Sequence, residues 1–318
     1  MSDSTQSSEG SKAAALTARN QLLGELNLSP AAFEAFLQEP YQAVMEAVGA
    51  AVRGYPTHEF MGRPQISVPE LETIVADTAS PHQLAARRLI ADRIMSLYLL
   101  RAFATMTDQE CGERLEIVGL EHLHAAMAAG RGVMLLNSHF GPGRLIPIIL
   151  AKFGWELTHV SPINEVAILD LQLPGKIEHI ELGPAFDLRI LATMRARLLE
   201  GKIVHGTGDG MRGNAVMARP FLGRPRRFPQ SFGFLSLSTG ATCLPVFVRS
   251  DEFGAIRLEI CPALQTGDPS LPAEDRIAGM IDGYSSELEK RWLSDYGNVP
   301  PHSLQLYQRG FPGLRRKG

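Results

Sequence analysis

The stretch LLNSHFGPGR, residues 135–144, decides how the chain is to be read. An apolar run with the character of a buried strand stops at Ser138-His139, and two glycines and a proline follow at once. One reading is a tight turn that happens to contain a histidine. The other is a basic imidazole presented at a strand end, with glycines clearing room for a substrate. Working outward, short β-like runs at 115–118, 133–137, 157–160, 177–182, 203–205, 243–249 and 256–260 alternate with helix-like segments. Among those helices, Ile190, Leu191, Met194 and Leu198 make one amphipathic face, and Ile277, Ile281, Tyr284 and Leu288 another. The alternation predicts an α/β fold, a central mixed sheet with helices on both faces.

Before position 113 the pattern is helical, with no convincing strand. Ile90, Ile94, Leu97 and Tyr98 fall on one helical face, and Ser80-Pro81 supplies a cap and first-turn residue. The division expected is a Ser-rich disordered tail over 1–12, a helical region over 13–110, and an α/β domain over 111–318.

The 318 residues are 45% hydrophobic and 20% charged, with a net charge of -3. Phosphate neutralisation needs a basic excess that is absent, so no nucleic-acid partner is expected. Cys111, Cys243 and Cys261 are far apart, which suits reduced core thiols and a cytoplasmic protein. The start, MSDSTQSSEGSK, holds no apolar segment suited to a signal peptide. The stretches 94–106 and 145–155 are interrupted by Arg101 and Lys152 and fall short of the roughly 20 apolar residues a membrane span needs. The expectation is no transmembrane segment, with peripheral contact at an inner membrane left open.

In open α/β sheets ligands bind beyond the carboxyl ends of strands. His139 and Asp209 each follow a predicted strand and precede glycine-rich turns, so they are candidates to share one sheet edge. A histidine there takes a proton from a hydroxyl or amine once a partner fixes its tautomer. There is no G-x-S-x-G elbow and no G-x-x-x-x-G-K-[ST] loop. His122 and His124, two apart, do not chelate one metal from a helix, and no other cluster has metal spacing, so no metal is expected.

From Leu115 to Pro262 the chain resembles the lysophospholipid acyltransferase superfamily, closest to its bacterial lipid A late acyltransferase branch. The blocks that carry the resemblance are IVGLEHLHAAMAAGRGVMLLNSHFG, LEGKIVHGTGDG, ARPFLGRPRRFPQSFGFLSLSTGATCLPVFV and RLEICPAL, in order, with EKRWLSDYGNVPPHSLQLYQRG matching more loosely. That resemblance implies a His-x4-Asp/Glu motif in which histidine deprotonates an acceptor that attacks an acyl thioester. His139 stands in the histidine position, but the acid position holds Arg144. A guanidinium has no acceptor for a ring N–H, and its charge lowers a neighbouring histidine's pKa. Asp209 is the leading substitute, with Glu165 and Asp170 behind it. Ser138, Gly141, Arg144, Arg219, Phe221, Gly223, Arg224 and Arg226 are assigned to substrate binding. The arginines, on what reads as a stiff basic loop, would meet a phosphopantetheine phosphate or an acidic carrier protein.

The resemblance implies acyl transfer from a thioester of acyl carrier protein or coenzyme A, a co-substrate with no bound cofactor, to a hydroxyl or amine. The polar start of the chain favours a small natural-product acceptor. A membrane lipid or glycolipid acceptor, or a non-catalytic binder of acyl chains or carrier protein, are the alternatives.

Overall fold

The computed structural model describes residues 16–17, 20, 24, 29–54, 59–60, 63–64, 68–183, 187–210 and 215–311. The tail expected to be disordered, 1–12, lies outside them. The amino-terminal region is helical, as the sequence implies, and Ser80 with Gln83 forms a full capping box at the helix Pro81–Ile90. The stripe Ile90–Tyr98 is not one helix. Asp92 accepts a hydrogen bond from the Ile94 N–H at 3.2 Å and starts a second helix, Arg93–Thr105. Two two-residue strands, β1 (Glu59–Phe60) and β2 (Arg63–Pro64), pair antiparallel where none was expected. Strands that short have no periodicity to read.

The central sheet joins β3 (Leu115–Val118), β4 (Val133–Asn137), β5 (Leu157–Ser161), β6 (Ile177–Glu181), β7 (Ile203–Thr207), β10 (Thr242–Ser250) and β11 (Ile256–Ile260). Its order is β3-β11-β10-β4-β7-β5-β6. β10, β4, β7, β5 and β6 run parallel, whereas β11 is antiparallel to β10 and carries β3 with it. The mixed sheet is therefore the one expected. Strand β4 explains why it needs cover on both sides. Val133 and Leu135 enter one core with the helices Leu145–Lys152 and Arg93–Thr105. Met134 and Leu136 enter the other, with the helices Leu188–Leu199, Ser231–Thr239 and Ala273–Ser294.

The segment ARPFLGRPRRFP is not a loop. It forms a ribbon of β8 (Val216–Phe221) and β9 (Arg224–Pro229), turned at Leu222-Gly223 with both residues at positive φ. Proline is excluded from central strands by its missing N–H, but in a two-stranded ribbon both strands are edges. Pro220 and Pro225 face each other in register, where neither owes a ladder N–H.

His205, His159 and His179 lie side by side on β7, β5 and β6. Nδ1 of His205 is 2.9 Å from Nδ1 of His159. Burial pushes His205 down to about 3, so this imidazole is neutral in the fold. The unfolded chain binds the proton near pH 6.5, so the stabilisation is complete above that and is lost as pH falls toward 3. Urea unfolding is expected to show a loss from His205 of about 2 kcal/mol between pH 7 and pH 5. His205→Leu should remove that share of the pH dependence; an unaltered slope would mean that His205 is not buried neutral.

Candidate functional site

Strands β4 and β7 are parallel neighbours, paired from Val133↔Ile203 to Asn137↔Thr207. Two residues past those ends come His139 and Asp209, so the register alone delivers both to one spot. The Gly208 N–H donates to the Asn137 carbonyl at 2.8 Å and carries the pairing one step further. Asp209 then accepts from the His139 backbone N–H at 3.1 and 3.2 Å, and its Oδ1 lies 3.0 Å from His139 Nδ1. Arg226 Nη2 donates to its other oxygen at 2.7 Å.

The pair is asymmetric. The Asp209 side chain is 0% exposed and that of His139 is 48% exposed. An ionised carboxylate only accepts, so Nδ1 carries the hydrogen and Nε2 is the basic nitrogen. Burial alone would raise the Asp209 carboxyl. The charges of His139 and Arg226 and the hydrogen bonds from His139 outweigh burial and hold it below the usual carboxylate range. The Asp209 charge raises His139 above its ordinary value, against burial and the opposing charges of Arg226 and Arg144. The expected lowering by Arg144 is therefore present but overruled.

Arg144 does not face the imidazole as a partner. It pairs with Glu165, which takes that carboxylate out of contention. Asp170 sits at φ 48 and bonds to Gln172. Of the three candidate acids, only Asp209 reaches the ring.

Most of the residues assigned to substrate binding have identifiable partners within the protein. Arg226 is buried, with its guanidinium 4.7 Å from the Phe221 ring, 5.0 Å from Phe311 and 5.3 Å from Phe228. It is the counter-charge that positions Asp209. Phe221 is a wall of that cage and fully buried, and Gly223 is half of the ribbon turn. Arg224 donates to the carbonyls of Tyr307 and Gln308, and Arg219 pairs with Asp282 at 2.8 Å. Of the three, Arg226 alone is buried, whereas Arg219 and Arg224 are half-buried beside these partners. Ser138 is buried. Gly141, at φ 54, clears room for protein rather than substrate, since a Cβ there would lie 1.9 Å from the Val248 carbonyl oxygen. Arg144, half-buried beside the site, stays compatible with its assignment.

The carboxyl-terminal segment supplies what sequence reading did not assign. The Gly141 N–H donates to the Asn298 carbonyl at 2.7 Å, and Ser303 Oγ to the His139 carbonyl at 3.4 Å. His302, on the helix Pro301–Gln308, stands edge-on to His139 with ring centroids 5.5 Å apart. The one signal for it was a histidine behind two prolines in VPPHSLQ. Among the described residues, no group of three or more His, Cys, Asp or Glu side chains is arranged to hold a metal ion.

Over residues 77–280, more than half its length, the chain matches the family described as bacterial lipid A biosynthesis acyltransferase. It is also 22% identical over 206 residues to a phosphatidylinositol mannoside acyltransferase of Mycolicibacterium smegmatis. That match takes in 58% of this chain and 64% of the relative, so the chain spans less than two thirds of that protein's length.

Histidine NMR titration gives a direct check on the pair. The His139 midpoint is expected above 6.5 in the wild type and lower in Asp209→Asn. A wild-type midpoint below 6.5 would mean that the carboxylate is not charge-coupled to the ring.

Proposed function

The chain belongs to the bacterial lipid A biosynthesis acyltransferase family, and from that premise we propose that it transfers an acyl group from a thioester to a hydroxyl of a polar lipid. The observation that carries the reading is the His139–Asp209 pair, a half-exposed imidazole whose inner nitrogen is anchored to a buried carboxylate. An acceptor O–H gives its proton to His139 Nε2 while its oxygen attacks the thioester carbonyl. The tetrahedral intermediate collapses, the C–S bond breaks, and the thiolate takes the proton back from the imidazolium. The donor is a thioester of acyl carrier protein or of coenzyme A.

A direct displacement suits this chain because no nucleophilic thiol is within reach. Cys111, Cys243 and Cys261 are all buried, and burial pushes Cys243 up to about 12. Asp209 also supplies the carboxylate that position 144 lacks, so the Arg144 departure no longer argues for a non-catalytic binder. The family, and the lipid named in the relative, favour a lipid acceptor over the small natural-product intermediate that the polar start of the chain suggested. Among the described residues no helix is long and apolar enough to cross a membrane. A lipid acceptor would then be met at a membrane surface.

His139→Ala is expected to lower acyl transfer from palmitoyl coenzyme A by about 10²–10⁴-fold, with circular dichroism unchanged. Mass analysis of the acylated acceptor reads the outcome. Near-full transfer by a folded variant would end the proposal.

A further inference from the structure

A general base works only while its lone pair points at the acceptor, and a misplacement of about 1 Å can cost about a hundredfold in rate. The hydrogen bond from Nδ1 to Asp209 fixes the inner end of the His139 ring but leaves the ring a pivot. The side chain is 48% exposed, so close packing does not hold its outer half. Beside that ring stands His302, edge-on, with the centroids 5.5 Å apart and the two planes at 85°.

The chain delivers His302 on a stiff approach. Val299 is fully buried, Pro300 and Pro301 restrict the backbone, and Pro301 takes the first-turn position of the helix Pro301–Gln308. Ser303, Leu304 and Tyr307 are buried, which pins that helix and leaves His302 exposed at its start. Arg224 donates to the Tyr307 carbonyl at 2.6 Å, and the Tyr307 hydroxyl donates to the Leu222 carbonyl at 2.8 Å. The helix is thereby tied to the ribbon that carries Arg226 to Asp209. Ser303 Oγ donates to the His139 carbonyl at 3.4 Å and lies 3.3 Å from His302 Nε2, so one hydroxyl touches both residues. An exposed side chain fills no core, so packing does not explain why this one is held against the imidazole.

We propose that His302 is a positioning residue for the general base, its ring bracing the His139 imidazole in the orientation that Asp209 sets. The proposal rests on the acyl-transfer reading of His139. Edge-on pairs with centroids about 4.5–7 Å apart are a favoured geometry for aromatic rings, and this pair lies inside that range. With Nδ1 on a buried carboxylate and a second ring against the first, two contacts rather than one fix the direction of Nε2. The brace works through the shape of a ring, so a phenyl group can replace the imidazole and a flexible amide cannot. It acts on proton transfer and not on acceptor affinity, so its loss falls on kcat.

The test compares His302→Ala, His302→Gln and His302→Phe in the full chain, each shown to be folded by circular dichroism. The first readout is the ¹⁵N spectrum of His139 at a pH above its midpoint, where the shifts report which nitrogen carries the hydrogen. Wild type and His302→Phe are expected to show the Nδ1–H form alone. In His302→Ala and His302→Gln the two ring shifts should move toward each other as the ring loosens from Asp209. The second readout is transfer from palmitoyl coenzyme A to octyl β-D-glucoside as the acceptor probe. His302→Ala and His302→Gln should lower kcat about tenfold with KM within about twofold, and His302→Phe should stay within about threefold of wild type. Wild-type shifts and kcat in His302→Ala overturn the brace. So does a His302→Phe no better than His302→Ala, or a loss confined to KM, which would place His302 on the acceptor instead. If His139→Ala abolishes transfer while His302→Ala matches wild type, the brace fails and the acyl-transfer reading stands. Transfer that survives His139→Ala overturns that reading instead.

Discussion

Removing a carboxylate from water costs several kcal/mol unless opposite charge and hydrogen bonds meet it. Asp209 is fully buried, and much of the molecule is arranged to meet that cost. On one side the sheet register brings up the His139 backbone N–H and ring. On the other, Arg226 arrives from the β8–β9 ribbon through a cage of Phe221, Phe228, Phe311 and Trp292. The ribbon is tied to the carboxyl-terminal helix by Arg224 and by the Tyr307 hydroxyl on the Leu222 carbonyl. The same terminal segment holds the His139 loop through Asn298 and Ser303. Fold and site thus share one anchor. Removing Arg226 would leave the buried Asp209 charge without its cation and loosen the carboxylate that orients the imidazole.

The parts legible in the sequence were those set by local pattern. Each central strand could be found from an apolar run, and His139 and Asp209 from standing just past two such runs. Their meeting needs only that β4 and β7 be neighbours, which the α/β pattern allows but does not dictate. The ribbon was hidden because prolines in a basic segment look like a loop, whereas its burial depends on a cage drawn from distant residues. The helix break at Asp92 was hidden beneath an uninterrupted apolar stripe, where one side chain capping Ile94 decided the matter. His302 and Asn298 were out of reach for a different reason. Their contacts with the 139–141 loop span more than 150 residues, and no short-range pattern marks such a contact.

Position 144 shows how a motif can keep its geometry while its acid is replaced. The expected carboxylate there is an arginine, yet the ring has a carboxylate at 3.0 Å, supplied by the next strand. Arg144 in turn engages Glu165, on the short helix that follows β5. The departure therefore goes with an orienting acid supplied from β7 and a cation paired with Glu165. The measurement that tests this account most directly is the acyl-transfer kcat/KM of Asp209→Asn in a variant shown to be folded. A loss of about a hundredfold or more is expected, because an amide cannot hold the imidazolium or fix its tautomer. Activity within about threefold of wild type would contradict the account, since the ring would then be working without its buried partner.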